Sequence, residues 1–211
     1  MKLKIAVANH KGGAGKTSTA MLVAAALCSD TFRVAVVDLD PQGSACLWAA
    51  VGDGKFPAHV VSATAATLAD VLAGLEEFDA VMLDCPPSSI APETLAALDV
   101  ATLAVIPCCP SSLDYWATDA MCMAAEHRRP GLPRLVVVNQ FTNTNISRQL
   151  AAHIPKTWPT ATARLSLRTT YREAAALGVG VRQHPGRANH DAISEIRALA
   201  LEILTTALKA A

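Results

Sequence analysis

The sequence predicts an α/β domain, a doubly wound and mostly parallel sheet with helices on both faces. Six apolar runs, near 3–9, 34–39, 58–62, 79–84, 101–107 and 134–139, alternate with helix-like stretches near 16–28, 65–75, 91–98, 113–127 and 190–209. The chain has 211 residues, 52% apolar and 17% charged, which is ample for one such domain and short for two. No linker, repeat or low-complexity run divides it, so residues 1–211 read as a single domain.

The first run, Leu3-Lys4-Ile5-Ala6-Val7-Ala8, leads directly into Lys11-Gly12-Gly13-Ala14-Gly15-Lys16-Thr17 and then into the Ala/Leu-rich stretch from Thr19 to Leu27. Strand, glycine loop and helix in this order make a phosphate cradle. Glycines let successive N–H groups point inward at oxygens, and the following helix presents its positive end. The Lys16 ammonium reaches the terminal phosphates and the Thr17 hydroxyl meets a magnesium ion, with Ser18 continuing the first turn. The fold class is therefore that of a P-loop nucleoside triphosphatase, with ATP and Mg2+ as the expected ligands.

The usual pattern G-x-x-x-x-G-K-[ST] would place its first glycine at position 10, which is His10. With Lys11 present, the form K-G-G-x-G-K-T resembles the deviant Walker A ATPases, the ParA-type partition ATPases and MinD among them. That resemblance implies that Lys11 reaches across a dimer interface to the partner's nucleotide. In elementary terms, a second cation beside a triphosphate neutralises the charge of phosphoryl transfer, in cis or in trans.

The second run ends in Asp38-Leu39-Asp40-Pro41-Gln42-Gly43-Ser44. Strand alternation puts Asp38 and Asp40 on one face, and ligands gather at the carboxyl ends of parallel strands. D-x-D-P-Q-G also resembles the partition ATPases, which implies that Asp40 orients the attacking water and Asp38 supports the metal shell. The run Phe78 to Asp84, before Cys85-Pro86-Pro87, ends in a third acid. Asp84 suits the Walker B position, holding magnesium through water, and Cys85 reads as a small buried residue. The stretches 101–107 and 110–117 resemble the family's passage from strand to interface helix, with no individual roles assigned.

The run Leu135 to Val138 ends at Asn139-Gln140. By resemblance Asn139 reads the adenine base, an amide donating and accepting at once; it reads equally as a turn residue closing a strand. Segment 141–189, interrupted by Pro155, Pro159 and Pro185, yields no clear elements. In the last helix Ile193, Ile196, Leu199, Ala200, Ile203, Leu204 and Leu208 fall at helical spacing. Its polar face carries Asp191, Glu195 and Glu202 against Arg197 and Lys209, unsuited to anionic lipid, so it reads as core packing and no membrane partner is expected.

Net charge is zero but uneven: residues 1–125 carry 6 Lys+Arg against 13 Asp+Glu, and residues 126–211 carry 12 against 5. This asymmetry suggests a polyanion-binding face, although arginines spread over solvated helices give the same count. The resemblance to partition ATPases implies binding to nucleoid DNA without sequence preference through basic residues of the C-terminal portion, and Arg164, Arg168, Arg172 and Arg187 are the expected contacts, chosen by region. The six cysteines form no C-x-x-C pair. With no signal peptide or long apolar span expected, the reading is cytoplasmic, and the resemblance implies nucleoid association.

The resemblance implies an ATP-state homodimer that positions a cargo, such as a plasmid, a carboxysome or another large assembly, through hydrolysis stimulated by an adaptor of ParB-like role. Two other classes remain open on sequence: a metabolic P-loop enzyme (a ligase or small-molecule kinase), and an ATP-dependent interaction module without DNA binding.

Overall fold

The computed structural model describes residues 3–185 and 190–210. Strands form at all six apolar runs: β1 (Leu3–Val7), β2 (Val34–Asp38), β3 (His59–Ser62), β4 (Ala80–Asp84), β5 (Leu103–Cys108) and β6 (Arg134–Val138). They build one sheet in the order β3-β2-β4-β1-β5-β6, and each pairing is parallel. The chain winds to one side of β1 for β2 and β3, then crosses back for β5 and β6. The resulting crevice at the C-terminal end of β1 is where ligands bind in such sheets.

The helices are α1 (Lys16–Leu27), α2 (Ser44–Val51), α3 (Leu68–Ala73), α4 (Pro92–Val100), α5 (Ser112–Arg128), α6 (Asn145–His153), α7 (Thr169–Ala176) and α8 (His190–Ala210). On one face, α1, α2, α7 and α8 cover Ile5, Val7, Val36, Met82, Val105 and Val137. The other face, with Ala6, Val37, Leu83, Ala104 and Ile106, is covered by α3, α4, α5 and α6. Strands buried on both sides must be apolar at successive positions, which is why the runs do not alternate. In α8, Ile196, Leu199, Ala200 and Ile203 are buried in the first core as the spacing predicts, Ile193 and Leu204 pack against it, and Leu208, expected in the same stripe, is exposed.

Helix α2 has no counterpart in the sequence reading. Its octet Ser-Ala-Cys-Leu-Trp-Ala-Ala-Val lacks a polar face, and the structure buries Ala45 and Trp48 while leaving Leu47 and Val51 exposed. Its end is fixed by glycines: a Cβ on Gly52 would lie 2.0 Å from the Gly178 carbonyl oxygen, and one on Gly178 (φ +68°) 1.9 Å from the Gly52 nitrogen. Trp48 Nε1 adds a hydrogen bond to the Val179 carbonyl at 3.1 Å.

The proline-interrupted segment also acquires order. Pro159 to Leu167 run beside β6, with Val136 donating to the Pro159 carbonyl, Leu165 to Val138 and Phe141 to Leu165. The strand's open edge is thereby covered without a regular seventh strand. No helix among the described residues is long and apolar enough to cross a membrane.

Candidate functional site

The loop between β1 and α1 is anchored at its start by Asn9. The Asn9 amide donates to the Pro107 carbonyl at 2.8 Å, and its oxygen accepts the Lys11 N–H at 3.1 Å. Gly13 and Gly15 take φ of +78° and +89°, conformations open to glycine and costly to other residues. Helix α1 then starts with no side-chain cap on Gly15 and no acid in its first turn. Its first N–H groups are left facing the crevice, which is the arrangement that binds an anion.

The two loop lysines have different surroundings. Lys16 is 6% exposed and donates from Nζ to the Lys11 carbonyl at 3.2 Å. Burial lowers its pKa from the ordinary lysine value, and the Asp84 and Asp40 carboxylates pull it back up. Lys11 is half-exposed, and its Nζ lies 2.8 Å from Asp114 at the start of α5. Asp114 is buried, also takes the Ser111 hydroxyl, and has its own N–H capped by Ser111 Oγ at 3.2 Å.

Three acids gather at the strand ends, and two of them, Asp84 and Asp40, act on Lys16. Asp84, the last residue of β4, is fully buried, and neither of its carboxylate oxygens has a geometrically sound hydrogen bond. Burial pushes its carboxyl up to about 7; Thr17 and Lys16 oppose that rise, and Asp38 and Asp40 add to it. Asp38 spends its oxygens on backbone, accepting from Asp40 N at 3.2 Å and from Cys46 N, in the first turn of α2, at 3.0 Å. Asp40 lies beyond the strand and accepts from Gln42 N at 3.0 Å, shaping the turn that Gly43 (φ +65°) completes. An orphaned buried carboxylate facing an anion site fits a magnesium ion held through water. Among the described residues no cluster of His, Cys, Asp or Glu forms an all-protein metal cage, and magnesium takes its remaining ligands from water and phosphate.

The end of β6 closes the loop's outer side. Asn139 is buried; its Nδ2 donates to the Ala14 carbonyl at 3.1 Å and its Oδ1 accepts from Gln140 N at 2.8 Å. A Cβ on Gly15 would sit 1.8 Å from that Nδ2, so the loop passes against the amide with no room to spare. Gln140 donates from Nε2 to the Gly13 carbonyl at 3.0 Å. Beside these amides lies a cavity of about 240 Å³ bordered by Ser18, Leu22, Leu167, Tyr171 and Arg172.

A sequence profile described as the CobQ/CobB/MinD/ParA nucleotide binding domain matches residues 5–179. The chain belongs to this family. The maintenance of carboxysome distribution protein A of Halothiobacillus neapolitanus is 33% identical over 202 residues, covering 91% of this chain and 93% of that protein. The chromosome-partitioning ATPase Soj of Thermus thermophilus is 32% identical, covering 86% and 88%. In fold, the septum site-determining protein MinD of Pyrococcus horikoshii, complexed with Mg-ADP, superposes with a TM-score of 0.76 at 19% identity over 100% of this chain and 99% of that one. Membership agrees with the loop's two lysines and with the P-loop fold read from sequence.

The structure brings Lys16, Thr17, Asp38, Asp40 and Asp84 to one edge of the sheet, with Gly12, Gly13, Ala14, Gly15 and Ser18 forming the loop and helix start. Of the expected DNA contacts, Arg164, Arg168 and Arg172 lie close together, Arg168 bordering one surface cavity with Arg164 and another with Arg172. Arg168, its side chain 23% exposed, is paired with Glu195, with NH2 at 2.6 Å and Nε at 3.2 Å. Arg164 is exposed over the Phe141 ring, Arg172 is exposed beside the cavity, and Arg187 lies outside the described residues. Asp114 and Gln140 were missed as site residues. The Ser111-x-x-Asp114 pattern signals a helix start, but nothing in it shows that its acid meets a lysine 103 positions earlier.

Proposed function

We propose that this protein is a ParA-type ATPase that binds Mg-ATP, pairs into a nucleotide-sandwich dimer, and hydrolyses ATP slowly until an adaptor protein stimulates it. The observation that carries this is the division of labour between the loop lysines: Lys16 sealed against Asp84 and Asp40, Lys11 held at the surface. A lysine that serves its own nucleotide belongs inside the crevice, and one that serves a neighbour's belongs outside. Bound magnesium would supply charge neutralisation at the outer phosphates. Thr17 and Asp84 would hold it, with Asp38 steadying the adjoining turn, and Asp40 would orient the attacking water. Lys11 would neutralise transition-state charge in the partner's site. Asn139 and the cavity beside it would seat the adenine.

The homologues named for carboxysome distribution and chromosome partitioning support cargo positioning as the output. DNA without sequence preference is the matrix of that reading, with Arg164 and Arg172 as its exposed cations. The test is binding to random duplex DNA with ATP, ADP or no nucleotide at two salt concentrations. ATP-selective binding that weakens steeply with salt is expected. Binding indifferent to nucleotide would remove the nucleoid role. Asp40→Ala is expected to abolish hydrolysis while ATP-dependent dimers persist, and loss of ATP binding itself would show that the residue is misassigned.

A further inference from the structure

Gln140 has a backbone that its residue type does not favour. Its φ of +52° lies in the left-handed region, and among the described non-glycine residues it shares a positive φ only with Asp53. Glycine would fit that backbone without strain, but only a side chain can cross to the phosphate loop. Here it does, with Nε2 on the Gly13 carbonyl, 127 residues away in sequence. A carbonyl can only accept, so the amide's nitrogen must face it.

The neighbouring groups point the same way. Asn139 Nδ2 holds the Ala14 carbonyl, and the Cys109 sulfur lies 3.9 Å and 3.8 Å from the Gly13 and Ala14 oxygens. Two successive carbonyls are thus drawn toward the ends of β5 and β6. In a trans peptide the N–H points opposite to the C=O. Turning the Gly13 and Ala14 oxygens outward therefore turns the Ala14 and Gly15 N–H groups inward, making a nest for anionic oxygens.

We infer that Gln140 is a positioning residue for the phosphate loop, fixing the Gly13–Ala14 peptide so that its N–H faces the triphosphate. The inference rests on the nucleotide reading and assigns Gln140 no contact with the base. Its distinguishing consequence is that Gln140 matters for a ligand that has no base at all.

The experiment measures binding of inorganic tripolyphosphate and of ATP, both with magnesium, to the wild type, Gln140→Gly and Gln140→Met. Gln140→Gly relieves the backbone, so its Tm should equal or exceed that of the wild type. Gln140→Met keeps the side chain's length without a donor. Both variants should bind tripolyphosphate and ATP more weakly by a common factor of roughly 3–10, the loss of one modest hydrogen bond. In labelled protein, the Ala14 amide resonance should move on tripolyphosphate binding in the wild type and far less in the variants, a signature that a purely structural role would not alter. Weakened ATP binding with unchanged tripolyphosphate binding would make Gln140 a base contact and overturn the inference. Unchanged binding of both ligands would also overturn it. A wild type that binds neither ligand would instead bring down the nucleotide reading itself.

Discussion

Lys11 and Lys16 stand five residues apart in one loop, yet their chemistry is opposite. Lys16 has lost most of its water and is balanced by acids on neighbouring strands, so its charge is already committed to the crevice. Lys11 keeps about a third of its side-chain surface and is held by a single carboxylate from α5. A buried ammonium is matched to a ligand of fixed position, whereas a half-exposed one can exchange partners at small cost. The loop therefore contains one cation enclosed in the crevice and one held near the surface, the contrast on which the proposed division of roles rests.

The largest effect expected from this contrast is that of Lys16→Ala, which leaves Asp84 and Asp40 facing phosphates with no cation between. ATP affinity should fall by about 5 kcal/mol, more than 10³-fold, in isothermal titration. Lys11→Ala should leave ATP affinity within about 3-fold while slowing hydrolysis roughly 10³-fold, the scale of a cation supplied in trans. Equal losses of binding in the two variants would erase the distinction.

A third expectation concerns the acid that Lys16 faces. The Asp84 carboxyl titrates near 7 in the folded chain against an ordinary value of 3.8. Between those values the unfolded chain has released a proton that the folded one retains, so nucleotide-free stability falls as pH rises. The contribution is fully present below the unfolded pKa and is lost above about 7. From about pH 5 to 7 the loss is on the order of 2 kcal/mol, read as a falling Tm. Asp84→Asn should flatten that slope, and a wild type whose stability rises over the same range would contradict it. The smallest effect is that of Asp114→Asn, which frees Lys11 from a pair worth about 0.5–1 kcal/mol. The ATP-dependent dimer should then form at roughly 3-fold lower protein concentration in sedimentation.

Much of this was legible because the strands are apolar throughout and the loop's residue types are dictated by phosphate. Asp84 and Lys16 could be placed from their position after a strand or a glycine run. Helix α2 could not, since its exposed Leu47 and Val51 invert the rule that large apolar side chains lie inside. Arg168 counted as a free cation in the sequence and is in fact joined to Glu195, Ser166 and Tyr171 in one polar cluster. Asn139 was recognised as an amide at a strand end, but its hold on Ala14 depends on the close approach of Gly15. The left-handed Gln140 left no trace in the sequence, because glutamine carries no preference for that conformation.

The crossing of Gly52 and Gly178 ties the end of α2 to the end of α7. Backbone lies on backbone there, with no side chain to deform, and Trp48 ties the same corner to Val179. Helix α2 begins beside Asp38, and α7 carries Tyr171 and Arg172 of the cavity wall. The far ends of the two helices are thus joined through backbone alone, and a methyl group added at either glycine would force the two chains apart at that corner.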